Sequence, residues 1–216
     1  MVEGVVQTDK QFKFLTGELV QSEKHEGVTA AVNCDSDGIA GNSLYSAVPW
    51  CKTGTIAVFG ATKFGRYEAN QPLIQGHRGN VTDLAFSPFE ERLLATTGDD
   101  GMAKLWVIED PRGIVTQTDE ADIELQGHTK NCKGLAWHTS VENCLATFAL
   151  DQTVQIWDIN DGKWDNPILS TTLDASANYV CWSPDGKLLG CMLKNKTMNY
   201  MDPRADATSV LKANAH

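Results

Sequence analysis

The chain has 216 residues, 42% of them hydrophobic and 21% charged, a balance that can bury a sizeable core and excludes collagen-like, linker-dominated and disordered compositions. Its 28 acidic side chains against 18 basic ones leave a net charge of −10, so duplex nucleic acid would meet repulsion before contact and an anionic membrane surface offers no attraction. The start, MVEGVVQTDK, lacks a basic segment leading into an apolar one, and no apolar run is long enough to span a bilayer; the expectation is a cytosolic chain with no nucleic acid partner and no membrane insertion.

In chain order, residues 1–24 carry Phe12, Phe14 and Leu15 among charges and read as a lead-in segment that can add a strand. The run SLYSAVPWCKTGTIAVF (43–59) reads as two strands joined by a CKTG turn, part of a divergent unit over about 25–75. From there the chain repeats itself with a period of 51 residues: QGHRGNVTDLAFSPFEERLLATTGDDGMAKLWVI (75–108) lies over QGHTKNCKGLAWHTSVENCLATFALDQTVQIWDI (126–159) without a gap. Each copy holds three short strand-like runs separated by turn formers such as SPFEE, GDDG, HTSVEN and LDQT, the pattern of an antiparallel meander. A third copy, YVCWSPDGKLLGCMLKNKTMNYMDPR (179–204), places Trp182 where Trp137 stands and 197–202 where 153–158 stand, and it lacks the Gly-His and the strand tryptophan. The predicted units run over about 76–126, 127–172 and 173–216.

Twenty-nine residues separate Gly-His from the strand tryptophan in both full copies, the mark of WD repeats, and the second ends that strand with Trp157-Asp158. His77, Thr96, Asp100 and Trp106 recur in register as His128, Thr147, Asp151 and Trp157, and in blades of this kind the four side chains form one hydrogen-bonded chain. A histidine with a hydroxyl and a carboxylate resembles a nucleophile, base and orienter, but a catalytic set is needed once and this one occurs twice, so the reading is structural. G-x-S-x-G, P-loop, H-E-x-x-H and EF-hand patterns are absent, and no catalytic residue, metal site or cofactor is expected. The six cysteines, Cys34, Cys51, Cys132, Cys144, Cys181 and Cys191, show no metal-ligand spacing and are expected as inert buried thiols, while His25 and His138, without repeated partners, are expected on loops.

Together VTDLAFSPFEERLLATTGDDGMAKLW (81–106), GHTKNCKGLAWH (127–138), WSPDGKLLG (182–190) and the ending Tyr200-Met201-Asp202-Pro203-Arg204 resemble successive blades of the coronins, with 37–59 similar to the divergent first blade of the long, tandem-propeller coronins. The resemblance implies an all-β fold of WD-type propeller blades. Since seven blades take about 300 residues, the chain is expected to supply about four of seven and to be a fragment cut at a repeat boundary. Where coronins usually begin with a basic Lys-Phe-Arg-His signature, this chain has Lys13-Phe14-Leu15-Thr16 and so lacks two basic contacts.

The resemblance also implies a non-catalytic scaffold that binds actin filaments and actin regulators, and other proteins through the propeller face. Its place would be the cytoplasm on the actin cytoskeleton, with a Golgi or vesicle association as in some long coronins. The alternative is a generic WD-repeat adaptor in a ubiquitin-ligase or trafficking complex. An acidic chain binding acidic actin must concentrate positive charge locally. On WD-type blades the Gly-His loops and the turns between second and third strands share one face, which would receive Arg78, Lys130, Lys133, Lys194 and Lys196, with Asp99 beside them.

Overall fold

The computed structural model describes residues 24–31, 38–68, 70–114, 116–161, 164–205 and 210–214. Most of the lead-in segment, with Lys13-Phe14-Leu15-Thr16, lies outside the described residues, as do Cys34 and His216. The described chain is all-β apart from one 3-10 turn at Ile159–Asp161.

Strand β1 (His25–Glu26) is followed by the short β2 (Ala40–Gly41), then β3 (Tyr45–Pro49), β4 (Thr55–Gly60), β5 (Gly65–Arg66) and β6 (Ile74–Gln75). The first blade is the antiparallel sheet β2-β3-β4-β6, while β1 and β5 pair in parallel beside it. The second blade is β7 (Val81–Phe86), β8 (Leu93–Gly98), β9 (Ala103–Val107) and β10 (Ile123–Leu125), paired in that order. The third is β11 (Cys132–Trp137), β12 (Cys144–Ala149), β13 (Thr153–Asp158) and β14 (Leu169–Thr172). The fourth is β15 (Ala177–Trp182), β16 (Leu189–Leu193), β17 (Thr197–Met201) and β18 (Val210–Asn214).

The cores lie between sheets, which is why the middle strands read as continuous apolar runs: β8 and β4 are buried along their whole length because both faces are covered. Tyr45, Ile56 and Val58 meet Leu94 and Trp106 between the first two blades; Ala95 and Leu105 meet Leu145 and Trp157 between the next two. Phe148, Val154 and Ile156 meet Leu189, Cys191 and Met201 between the last two. The opposite face of the first blade, with Val48, Trp50 and Phe59, is covered by Tyr67, whose ring lies 4.3 Å from that of Phe59, and by His25, stacked on Phe59 at 5.5 Å.

The first strands of the last three blades carry the same bulge, with a register shift across Thr82, Lys133 and Asn178. Two of them also end in a tryptophan that ties adjacent blades: Trp137 Nε1 donates to the Ala85 carbonyl and Trp182 Nε1 to the Ala136 carbonyl, each at 3.1 Å.

Two expectations are corrected, for the cysteines and for His25, while His138 lies on a loop as expected. Cys132 and Cys191 are buried, and burial pushes both thiols up to about 12, but Cys51 and Cys181 are exposed. Cys181 alternates with buried Val180 and Trp182, so the two-residue period of β15 turns it outward. His25 lies not on a loop but in β1, with Nδ1 3.2 Å from the Tyr67 hydroxyl. His138 follows β11 as a loop residue yet is buried: its Nδ1 accepts the Ser140 and Val141 N–H groups, its Nε2 lies 3.0 Å from the Gly186 carbonyl, and its ring meets Trp182 at 4.3 Å. It joins the third blade to the first turn of the fourth.

Candidate interaction face

The geometry of the loop face follows from the two polar tetrads. In the second blade Trp106 Nε1 donates to Thr96 Oγ1 at 3.0 Å, Thr96 Oγ1 lies 2.9 Å from His77 Nε2, and His77 Nδ1 lies 3.0 Å from Asp100 Oδ1. An indole can only donate, so the threonine oxygen accepts from it, while the imidazole bridges that oxygen and the carboxylate through its two nitrogens. Asp100 then accepts the backbone N–H groups of Arg78 and Met102 at 3.0 and 3.3 Å, which fixes the Gly-His loop against the turn before β9.

The third blade repeats the chain: Trp157 Nε1 to Thr147 Oγ1 at 2.9 Å, Thr147 Oγ1 to His128 Nε2 at 2.8 Å, and His128 Nδ1 to Asp151 Oδ2 at 3.2 Å. Asp151 accepts the Thr129 N–H and the Thr153 hydroxyl as well. The glycine of Gly-His is required because a Cβ on Gly76 would lie 2.7 Å from the Trp106 ring, and one on Gly127 2.8 Å from that of Trp157.

Burial raises the Asp100 carboxyl, but the His77 hydrogen bond and charge together with the two backbone N–H groups outweigh it and hold it at about 2. Burial lowers His128 against the opposing pull of Asp151, keeping the imidazole neutral. A buried neutral histidine already bonded on both nitrogens holds a loop in place and offers no base to a substrate.

In the fourth blade the tetrad positions are filled by Leu173, Cys191, Asn195 and Met201. Leu173, Cys191 and Met201 join the core between the last two blades, replacing the polar chain by apolar packing. Asn195 keeps one part of the old role, its Oδ1 accepting the Thr197 N–H and hydroxyl as Asp151 accepts those of Thr153.

Arg78 and Lys130 are exposed on the two successive Gly-His loops, and Lys194 and Lys196 on the turn between β16 and β17. Lys133, half-buried at the bulge of β11, and Lys194 line one cavity of about 350 Å³ with Ala177 and Asn178; Arg78, Lys130 and Lys196 are not among its lining residues. Asp99 accepts the side-chain amides of Asn80 and Asn131, bracing the two Gly-His loops against each other. The bulge that brings Lys133 to the cavity is not visible in the sequence, although a lysine in an otherwise apolar strand run is its trace.

Residues 70–107 and 121–158 match the family model described as WD domain, G-beta repeat. Coronin-7 of Homo sapiens is 30% identical over 210 residues, 94% of this chain and 22% of that protein, and the coronin-like protein crn1 of Schizosaccharomyces pombe is 26% identical over 176 residues, 80% of this chain and 29% of that one. The crystal structure of the WD40 domain from Toxoplasma gondii coronin superposes with a TM-score of 0.79 at 29% identity, covering 88% of this chain and 48% of that chain. The chain is a WD-repeat chain of coronin type. It spans about a fifth of the length of Coronin-7. The coronin likeness covers both tetrad blades and the fourth, apolar one alike.

Proposed function

We propose that this coronin-type chain is an actin-filament-binding scaffold of the cytoplasmic cytoskeleton that acts by contact, without catalysis, through the loop face carrying Arg78, Lys130, Lys133, Lys194 and Lys196. Coronin homology over 94% of the chain is the observation that carries the reading. The exposure of Arg78, Lys130, Lys194 and Lys196 on turns of a chain of net charge −10 supports it, because an acidic filament repels the carboxylates of the rest of the surface. The bonded, repeated state of both His–Asp pairs supports a role without chemistry. Filament cosedimentation tests it: pelleting with filaments that weakens as salt rises is expected, and none above background at low salt overturns it.

The adaptor reading is favoured by a different feature, a groove of about 590 Å³ where residues 108–122 fold back on the outer edge of the first blade, with Ile74, Trp106 and Ile114 below and Glu109, Glu120 and Asp122 among the lining. Stable capture of ligase or trafficking subunits with no filament binding would shift the assignment to it.

A further inference from the structure

The chain departs from its own repeat at the outer edge of the second blade. Where the third blade has Asp158 after its strand tryptophan, the second has Val107, and its connection to the fourth strand runs over 108–122, longer than the corresponding 159–168. Strand β10 pairs with β9 only from Ala103 to Leu105. Val107 therefore lies past the end of its outer neighbour and is 46% exposed, with its N–H donating to Asp122 Oδ2 at 2.7 Å.

The longer connection arches across to the first blade and is pinned there by its backbone. The Gly60 N–H donates to the Arg112 carbonyl at 3.0 Å, the Ile114 N–H to the Val58 carbonyl at 3.1 Å and the Thr118 N–H to the Leu73 carbonyl at 3.2 Å. This arch and the end of β9 enclose the groove of about 590 Å³. Val107, exposed Pro111 and half-buried Ile114 give it an apolar lining, and Glu109, Asp110, Glu120 and Asp122 an acidic one. Arg112 Nη2 engages Asp110 Oδ2 at 2.6 Å, whereas the Glu109 and Glu120 carboxylates are exposed and form no hydrogen bond or ion pair among the described residues. No lysine or arginine is among the described residues that line the groove.

We propose that this groove docks an extended basic segment of a partner protein, with an aliphatic side chain set between lysines or arginines. The apolar lining favours burial of the aliphatic side chain, and the two unengaged carboxylates, near opposite ends of the arch, favour cations on either side of it. The same charge repels acidic segments and anionic lipid headgroups, so the groove and the basic loop face select opposite partners. The backbone bonds to the first blade preform the walls, so binding has to order the ligand and little of the chain. The site stands independently of the filament reading, and it gives the adaptor alternative its ligand chemistry.

A capped Lys-Leu-Lys-Leu-Lys peptide titrated into the chain by calorimetry tests the groove, with Lys-Gly-Lys-Gly-Lys as the charge-matched arm. The leucine peptide is expected to bind, and the glycine peptide to bind about fivefold more weakly or less. Glu109→Gln with Glu120→Gln is expected to weaken the leucine peptide about tenfold and to flatten its salt dependence, while Glu68→Gln with Glu142→Gln, at exposed carboxylates outside the groove, changes it less than about twofold. Val107→Thr keeps a β-branched residue at the end of β9 and should weaken binding severalfold with the salt dependence unchanged. Glu109→Asp with Glu120→Asp keeps binding within a few fold of the parent, and denaturant midpoints of all variants confirm that they fold. Absence of peptide binding, equal binding of the two peptides, or equal losses in both glutamine pairs overturns the groove. Filament cosedimentation on the same samples separates the two faces: unchanged pelleting by the Glu109/Glu120 glutamine variant is expected, and pelleting lost together with the peptide would place the filament in the groove and overturn the basic segment as its occupant. Peptide bound by a parent chain that does not pellet removes the filament reading and upholds the groove.

Discussion

Each tetrad histidine uses both ring nitrogens, so deleting one member strands its neighbours in a water-poor interior. His128→Ala and Asp151→Ala should each cost about 1–3 kcal/mol, read as lower denaturant midpoints; unchanged midpoints would contradict the wiring. Asp100 titrates lower folded, at about 2, than its ordinary value of 3.8, so its contribution is whole above that value and disappears as pH falls toward 2. His128 is also lowered, and as a base it penalises folding once the unfolded imidazole takes up a proton, so its loss begins below about pH 6.5. A midpoint series from pH 8 to 2 should therefore fall in two stages, and Asp100→Asn should be less stable at pH 7 and show a smaller lower stage, since Asp151 is lowered as well. The tetrads were legible in the sequence because a hydrogen-bonded chain of four different side chains survives only if all four stay in register, and two gapless copies display that register twice. The exposure of Cys181 was not, since an apolar run such as YVCW does not say whether one or both faces of its strand are covered.

Blades are held to one another partly by a recurring indole. Trp182→Phe keeps the ring between the third and fourth blades but removes the donor to the Ala136 carbonyl, and should cost about 1 kcal/mol. The second blade has Phe86 at this position, stacked on Tyr45 at 6.0 Å, so Phe86→Trp shows whether a new donor can be accommodated there; a stability change from Trp182→Phe no larger than the error of the midpoint would remove the indole from the blade contact. The meander strands could be read from alternation and turn formers. Two elements could not: the parallel pair β1 and β5, of two residues each, is too short for any period, and the 108–122 connection bridges to Phe59 and Ile74 through backbone pairs at Gly113 and Thr118 that no side-chain pattern announces.

Over the whole molecule the two terminal sheet faces differ. That of the first blade is covered by His25 and Tyr67, whereas on the fourth blade Tyr179 is 62% and Tyr200 36% exposed, with Cys181 between buried neighbours. The 216-residue chain should therefore self-associate as its concentration rises, and Tyr179→Ser with Tyr200→Ser should reduce it; light scattering that reports a monomer throughout would contradict this. Repetition makes the fold readable, but the proposed loop face includes departures from the repeat, such as Lys133 and Lys194, whose meeting at one cavity needs the blade-to-blade geometry. Amide hydrogen exchange of the chain bound to actin filaments, against the free chain, tests that face most directly. Protection gathered at 126–133, 176–178 and 194–196 is expected, and protection confined to the outer edge at 108–122 would contradict a loop-face actin site.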